Sequence, residues 1–350
     1  MRDYLYNLVT GKIKGPQAAF LRRLLFIFSL VYGLVVFILI AFYRLRPARI
    51  NCKVISVGNI TLGGTGKTSL VEYLADKLSQ KGNKIAVLSR GYKRDARLSG
   101  MQGLGDEPQM LQRKLPEVPV LVDKKRLRAA SRAIKDYAVD TLILDDGLQQ
   151  WRIFKDLEIV TINAQNPFGN FRLLPAGFLR EPLSGLARAD IFVLTQVKPG
   201  QDTSGITARL KQLNPRALIV ESSHKPVGFS DLNNPDELLG PDNFKGKPAV
   251  VFSGIGSPQV FEDTVRSLGI NIMEALRFAD HHDYSQADLD DIIECARQRN
   301  LCAIVTTEKD AVKIARLKFD QARIFSLNIK LSIIKNEAEF DRRLFKLFSL

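Results

Sequence analysis

Histidine and cysteine are scarce in this chain, with three of each among 350 residues. Cys52, Cys295 and Cys302 show neither a pairing pattern nor ligand spacing. That excludes a disulfide framework and fits a reducing compartment. With no further His or Cys at ligand intervals near His281 and His282, the pattern argues against a zinc centre. Acidic residues are missing from the N-terminal region: after Asp3 the next is Glu72. No internal repeat and no low-complexity segment is present, which excludes a solenoid. No stretch interleaves aromatics with Lys or Arg as a stacking platform for single-stranded nucleic acid would.

Basic charge is abundant instead. The net charge is +14 and the pI about 9.7, which suits nucleic acid, an anionic membrane or a phosphorylated substrate. The first fifty residues choose among them. Leu24 to Tyr43 reads LLFIFSLVYGLVVFILIAFY, without a charge. Roughly 20 residues at about 1.5 Å each match a bilayer core of about 30 Å. Arg22 and Arg23 precede the run, and Arg44, Arg46 and Arg49 follow it. It is too long for a secretory signal, and no small-x-small cleavage site follows. A buried core helix is the rival reading; for a membrane helix, basic residues on both sides leave two alternatives, one that spans or one lying deep in one leaflet beside anionic head groups.

The rest of the chain is organised around Thr61-Leu62-Gly63-Gly64-Thr65-Gly66-Lys67-Thr68. An apolar strand (Val54 to Val57) precedes it and a helix (Thr68 to Gln80) follows, the order a phosphate-cradling loop requires. Glycines let backbone N–H groups converge on phosphate oxygens, and the helix start adds its unpaired N–H groups. Lys67 then reaches the β- and γ-phosphates of ATP, and the Thr68 hydroxyl sits on Mg²⁺. The strand Thr141 to Leu144 ends in Asp145-Asp146-Gly147, which in a parallel sheet opens on the same crevice. A carboxylate there holds the Mg²⁺ of MgATP.

Strand-like and helix-like runs alternate, predicting an α/β fold with a P-loop NTPase-like parallel sheet, flanking helices and a smaller second α/β lobe. The expected organisation is an N-terminal membrane helix with its flanks (1–48), a kinase core (49–235), a smaller lobe (236–330) and a closing C-terminal helix (331–350). Pro226 to Asp242 reads as a linker. Between the strand-like runs Glu158 to Ile162 and Ile191 to Leu194, Asn166 to Arg188 is rich in Pro, Gly and Arg and reads as a working loop. Its Arg172, Arg180 and Arg188, with Glu181 beside Arg180, are either phosphate-binding side chains or solvated charges. Asp106, in Gly105-Asp106-Glu107-Pro108, reads either as a helix cap or as the group that takes the acceptor's proton. His281 and His282 lie in a polar turn and are open to either a structural or a chemical role.

In SVGNITLGGTGKT, LSRGYKR, GDEP, LILDDGLQ, NPFGNFRLLPAGFLREPLSGLARAD, FADHHDY and VTTEKDAVKI the chain resembles the tetraacyldisaccharide 4'-kinases. These enzymes phosphorylate the lipid A disaccharide. The likeness runs from the apolar helix to about Leu317. It implies an ATP- and Mg²⁺-dependent transfer to the 4'-hydroxyl of the disaccharide 1-phosphate, giving lipid IVA. It implies Asp106 as the catalytic carboxylate, helped by His281, and Lys67, Thr68, Asp145 and Asp146 at MgATP. It also implies two lobes closing on the nucleotide. Thr61 at the first loop position is usual in that family, whereas Leu148 and Gln150 replace its customary Phe and His. Arg172, Arg180 and Glu181 are the expected substrate contacts. The expected setting is the cytoplasmic face of the inner membrane among anionic lipids, with neither nucleic acid nor a protein partner. Two rival functions are a membrane-tethered nucleotide switch and a nucleic-acid-dependent ATPase. Against a guanine switch, Gln196-Val197-Lys198 and Thr307-Glu308-Lys309-Asp310 both miss the spacing of a guanine reader.

Overall fold

The computed structural model describes residues 2–91, 106–280, 282–301, 303–319 and 322–349. In chain order the first half holds α1 (Arg2–Val9), α2 (Pro16–Leu45), β1 (Lys53–Gly58), α3 (Lys67–Ser79), β2 (Ile85–Ser89), α4 (Asp106–Lys114), β3 (Val120–Val122), α5 (Arg126–Tyr137), β4 (Thr141–Asp145), β5 (Leu157–Asn163) and β6 (Ile191–Thr195). There follow α6 (Ser204–Leu213), β7 (Leu218–Asp231), β8 (Asn234–Leu239), β9 (Pro248–Ser253), α7 (Pro258–Ser267), β10 (Asn271–Arg277), α8 (Gln286–Gln298), β11 (Ala303–Thr307), α9 (Glu308–Ile314), β12 (Ile324–Lys335) and α10 (Glu337–Phe345).

Contacts group these elements into two compact units. The first comprises Met1–Arg90, Glu117–Ser223 and Ser332–Leu350; the second comprises Gly91–Pro116 and His224–Leu331. The linear reading kept 91–116 with the core, ended that core at 235 and set the C-terminal helix apart. In the structure α4 groups with the second unit and α10 with the first. Lys77 on α3 pairs with Asp341 on α10 at 2.5 Å.

In the first unit the strand order is β7-β6-β5-β1-β4-β2-β3, and each neighbouring pair is parallel. Every residue of β2, β4 and β6 is buried, as expected of parallel strands covered on both faces. Leu70, Leu74 and Leu78 of α3 are fully buried, one helical turn apart. Val57 of β1 stands opposite Asp145 of β4. The loop after β1 and the carboxylates ending β4 therefore emerge at the same edge of the sheet.

In the second unit β10-β9-β11-β12 run parallel, β7 lies beside β12, and β8 pairs antiparallel with β7. The stretch expected to be a linker is this β7–β8 hairpin. Its Pro, Asn and Asp concentrate at the turn, while Phe229 packs into a core with Phe244 and Phe325. A second core joins Val250, Phe252, Tyr284, Leu289 and Ile304.

Helix α2 is longer than the apolar run alone. It starts at Pro16, where proline is tolerated in the first turn. Its most apolar 18 residues average a hydropathy of 2.9, so it is long and apolar enough to cross a membrane. Ser29 and Val36 are buried, and Tyr32 donates a hydrogen bond to the Arg180 carbonyl at 2.7 Å. With Gly33 against Leu173, these positions form a narrow stripe facing the protein. Phe20, Ile27, Leu30, Leu34, Phe37 and Phe42 stay exposed on the other faces.

Candidate active site

The loop between β1 and α3 is built from backbone. Gly63 has φ +114° and Gly66 φ +71°, a region that a side chain makes costly. Nothing lies within 4 Å of where a β-carbon on Gly63 or Gly64 would stand. Gly66 caps α3 without any side-chain hydrogen bond to its first amides, so these donors remain available to an anion. The loop is fastened from beneath. Thr65 Oγ1 meets Thr161 Oγ1 at 2.8 Å, and Thr195 donates to the Thr65 carbonyl at 3.0 Å. On its outer side Leu62 N–H donates to the Phe178 carbonyl at 2.7 Å and Arg180 N–H to the Ile60 carbonyl at 2.8 Å.

Lys67, Asp146, Arg180 and Asn59 converge beside this loop. Arg180 grips Asp146 with both nitrogens, at 2.6 and 2.9 Å. Lys67 Nζ lies 3.8 Å from the same carboxylate and donates to Asn59 Oδ1 at 3.1 Å. Arg180 also donates to Asn59 Oδ1, at 3.2 Å. Burial alone would lift the Asp146 carboxyl. The Arg180 hydrogen bonds and the charges of Lys67, Arg180 and Arg126 outweigh it, and Asp146 is held below the usual carboxylate range. Its backbone sits at φ +57°, a conformation Asp tolerates better than most residues.

Asp145 is placed differently. It is buried and accepts from the Ser89 hydroxyl at 3.1 Å. Arg126 donates to its carbonyl at 3.1 Å; burial pulls that guanidinium down to about 10, against the support of the two aspartates. The turn after the pair is pinned by Lys155, which donates to the Gly147 carbonyl at 2.7 Å and the Leu148 carbonyl at 3.2 Å. Close approach explains two glycines here. A β-carbon on Gly58 would stand 2.4 Å from the Leu148 nitrogen, and one on Gly147 2.3 Å from Ser56 Oγ.

The donor set suits a magnesium nucleotide. Mg²⁺ keeps several waters and binds through one or two carboxylates plus substrate phosphates. Among the described residues no group of three or more His, Cys, Asp or Glu could hold a metal by itself. Asp146 beside the open glycine cradle, with Asp145 buried behind it and Thr68 in the first turn of α3, fits a metal that arrives with phosphate.

The loop Thr61–Thr68, Lys67, Asp146 and Arg180 are thus brought together, with Asp145 directly behind. Arg172 is exposed, its guanidinium 5.5 Å from the Phe26 ring of α2. Glu181 is fully buried, bound to Arg188 at 2.6 Å and to Gln149 at 2.9 Å. Leu148 is fully buried beside Gly58. Asp106 is the first residue of α4; its side chain, and all of His281, lie outside the described residues. Sequence reasoning missed Asn59, Ser89, Thr161, Thr195, Arg126 and Lys155. Asn59 alone carried a signal, as a polar residue between an apolar strand and the glycine loop. Thr161 and Thr195 read simply as β-formers.

Known proteins resemble this chain over nearly its whole length. The family model described as Tetraacyldisaccharide-1-P 4'-kinase (LpxK) matches residues 21–349. The tetraacyldisaccharide 4'-kinase of Halothermothrix orenii is 36% identical over 363 residues, 95% of this chain and 93% of that protein. That of Syntrophus aciditrophicus is 38% identical over 322 residues, 84% and 85% of the two chains. The crystal structure of the "apo" form of LpxK from Aquifex aeolicus in complex with ATP superimposes with a TM-score of 0.75 at 29% identity, covering 94% of this chain and all of that one. The chain belongs to the tetraacyldisaccharide 4'-kinase family.

Proposed function

We infer that this protein is an ATP-dependent tetraacyldisaccharide 4'-kinase of lipid A biosynthesis, transferring the γ-phosphoryl group to the 4'-hydroxyl of tetraacyldisaccharide 1-phosphate and forming lipid IVA. The observation that carries it is the open glycine cradle with Lys67, Asp146 and Arg180 at its mouth, in a chain of this family. In the transfer, the γ-phosphorus separates from the β–γ bridging oxygen and bonds to the sugar oxygen, and ADP leaves. MgATP, when bound, supplies the phosphoryl group and the divalent charge that offsets its phosphates.

This chain's residues do the rest. Backbone amides of Gly63 to Lys67 hold phosphate oxygens, and Lys67 neutralises charge developing on them. Thr68, Asp145 and Asp146 are the residues that would hold the Mg²⁺ arriving with the nucleotide. Asp106 receives or orients the proton of the sugar hydroxyl, and His281 assists it. Arg172, exposed beside α2, suits the lipid phosphate better than Arg180, whose fork is taken up by Asp146. Glu181, sealed between Arg188 and Gln149, suits a supporting role better than a substrate contact.

Helix α2 brings the protein to its amphiphilic substrate. Its exposed apolar faces, flanked by Arg22, Arg23, Arg44, Arg46 and Arg49, favour an anionic membrane. A need for ATP, together with α2, supports a setting on the cytoplasmic face of the inner membrane. Neither nucleic acid nor a protein partner enters this reading.

The test uses detergent-solubilised full-length protein, MgATP and the lipid A disaccharide 1-phosphate, following phosphate transfer to lipid. Transfer by the wild type that collapses in Asp106→Ala and Lys67→Ala is expected. ATP hydrolysis without a phosphorylated lipid would overturn the reading in favour of a nucleotide switch.

A further inference from the structure

The segment Val305-Thr306-Thr307-Glu308-Lys309-Asp310-Ala311-Val312-Lys313 has no part in the nucleotide site described above. In the structure it ends β11 and forms α9, inside the second unit. Its side chains reach two places in that same unit.

The first is α4. Glu308 takes Lys114, the last residue of α4, at 2.8 and 2.9 Å through its two oxygens. Lys114 also donates to the Ile329 carbonyl at 3.4 Å. Both side chains are largely enclosed, at 18% and 15% exposure, so the pair is shielded from the water that weakens exposed ion pairs. Helix α4 begins at Asp106, about 12 Å away along its axis at about 1.5 Å per residue. A helix is stiff over that length, so anchoring its end fixes the direction of its start.

The second is the turn that carries Phe278-Ala279-Asp280-His281-His282-Asp283-Tyr284. Lys309 pairs with Asp280 at 3.5 Å, and Arg316, two residues past α9, pairs with Asp283. Asp310 is fully buried, accepts the Gly254 amide at 2.9 Å and the Thr307 hydroxyl at 2.7 Å, and meets Lys313 at 3.3 Å. Lys313 in turn lies 5.7 Å from the Tyr284 ring. A β-carbon on Gly254 would stand 3.0 Å from the Tyr284 hydroxyl and 3.2 Å from Asp310 Oδ1, so these groups crowd one spot. Burial, then the Asp310 charge, push the Tyr284 hydroxyl far up and keep it protonated. His282 packs against the Phe278 and Tyr284 rings, with centroids at 4.8 and 4.9 Å, and those two rings meet at 5.0 Å. The turn is therefore tied down on either side of His281 in the sequence.

We propose that α9 is the positioning hub for acid–base chemistry in this kinase: Glu308, through Lys114, orients the helix that opens on Asp106, while Lys309, Asp310 and Arg316 hold the turn that carries His281. The proposal rests on the reading of Asp106 and His281 as the proton-handling pair. These are positioning residues, acting through others, and misplacement of about 1 Å can cost about 100-fold in rate.

The test measures kcat, KM for ATP, equilibrium ATP binding and thermal melting on the full-length protein with the lipid disaccharide substrate. Glu308→Gln should lower kcat by about 10- to 100-fold while KM for ATP stays within about twofold, because the glycine loop belongs to the other unit. Lys114→Met should match it, and Lys114→Arg should keep most of the rate. If Glu308→Gln does not fold, the more exposed Lys309–Asp280 pair carries the test. Lys309→Asp should lower kcat, and adding Asp280→Lys should restore it to within about threefold. Unchanged kcat in Glu308→Gln and Lys309→Asp, or losses that only track melting and do not return in the charge swap, would overturn the hub. Asp106→Asn runs alongside. Its collapse with unaffected α9 variants sinks the hub alone; wild-type kcat in Asp106→Asn sinks the Asp106 reading and the hub together.

Discussion

Two junctions in this protein share one plan and use it in opposite ways. At β1–α3 and at β11–α9 a parallel strand ends and a helix starts. At the first, Gly66 in the left-handed region caps the helix and no side chain takes up its amides. At the second, the Thr307 hydroxyl accepts the Asp310 amide and Asp310 closes back on Thr307. The open junction presents backbone donors to a ligand. The closed one spends its amide on itself and frees charged side chains to grip neighbours. A strand–helix junction is thus a phosphate site only when nothing internal satisfies its amides.

The largest effect should break the open junction's function without touching its fold. Lys67→Ala is expected to cut phosphate transfer by on the order of 1,000-fold. Its melting temperature should fall by only a few degrees, about what one hydrogen bond to Asn59 and one charge beside Asp146 contribute, since no core side chain is removed. Next comes the close approach that places the Asp145–Asp146 turn. Gly58→Ala should cost about 1–3 kcal/mol or more in denaturant unfolding, since its new methyl group meets the Leu148 backbone.

A third prediction concerns pH. The Asp146 carboxyl is depressed in the folded protein. The stability it contributes is therefore fully present above the unfolded value of about 3.9 and is lost as pH falls through its lower folded value. Arg180→Gln removes the strongest of the interactions that depress it. The acid limb of MgATP binding, followed by equilibrium dialysis, should then move to higher pH. The smallest effect belongs to the closed junction: Thr307→Ala should lower stability by about 1 kcal/mol, the usual cost of losing a helix cap. An equal loss of ATP affinity in Thr307→Ala would erase the contrast between the junctions.

The contrast also explains what the sequence could reveal. The open junction was legible because backbone recognition demands glycine at fixed positions, and Gly63, Gly64 and Gly66 occupy them. The parallel strands were legible as short apolar runs, and α2 as a long one. The β7–β8 hairpin was not, because Pro226, Gly228, Asn233 and Asn234 gave the strongest local signal while Phe229 acts through distant partners. The hold on Asp146 was half legible. Lys67 is fixed by its loop, but Arg180 lies 34 residues along the chain from Asp146, and only folding pairs them. Ser89 reaches Asp145 across neighbouring strands, Thr195 reaches the Thr65 carbonyl in the loop, and Asn59 accepts from both Lys67 and Arg180, pairings for which no spacing rule exists.

The stripe of α2 that faces the protein has a mechanical consequence. Tyr32 bonds the backbone of Arg180, and Gly33 admits Leu173 so closely that its added β-carbon would lie 2.7 Å from Cδ1. The helix is therefore a fixed gauge rather than a loose leash. With α2 seated in lipid as proposed above, its depth would be passed rigidly to the loop bearing Arg172. An unrelated apolar helix of equal length would lack Tyr32 and Gly33, and with them the fixed registry between α2 and the loop bearing Arg172.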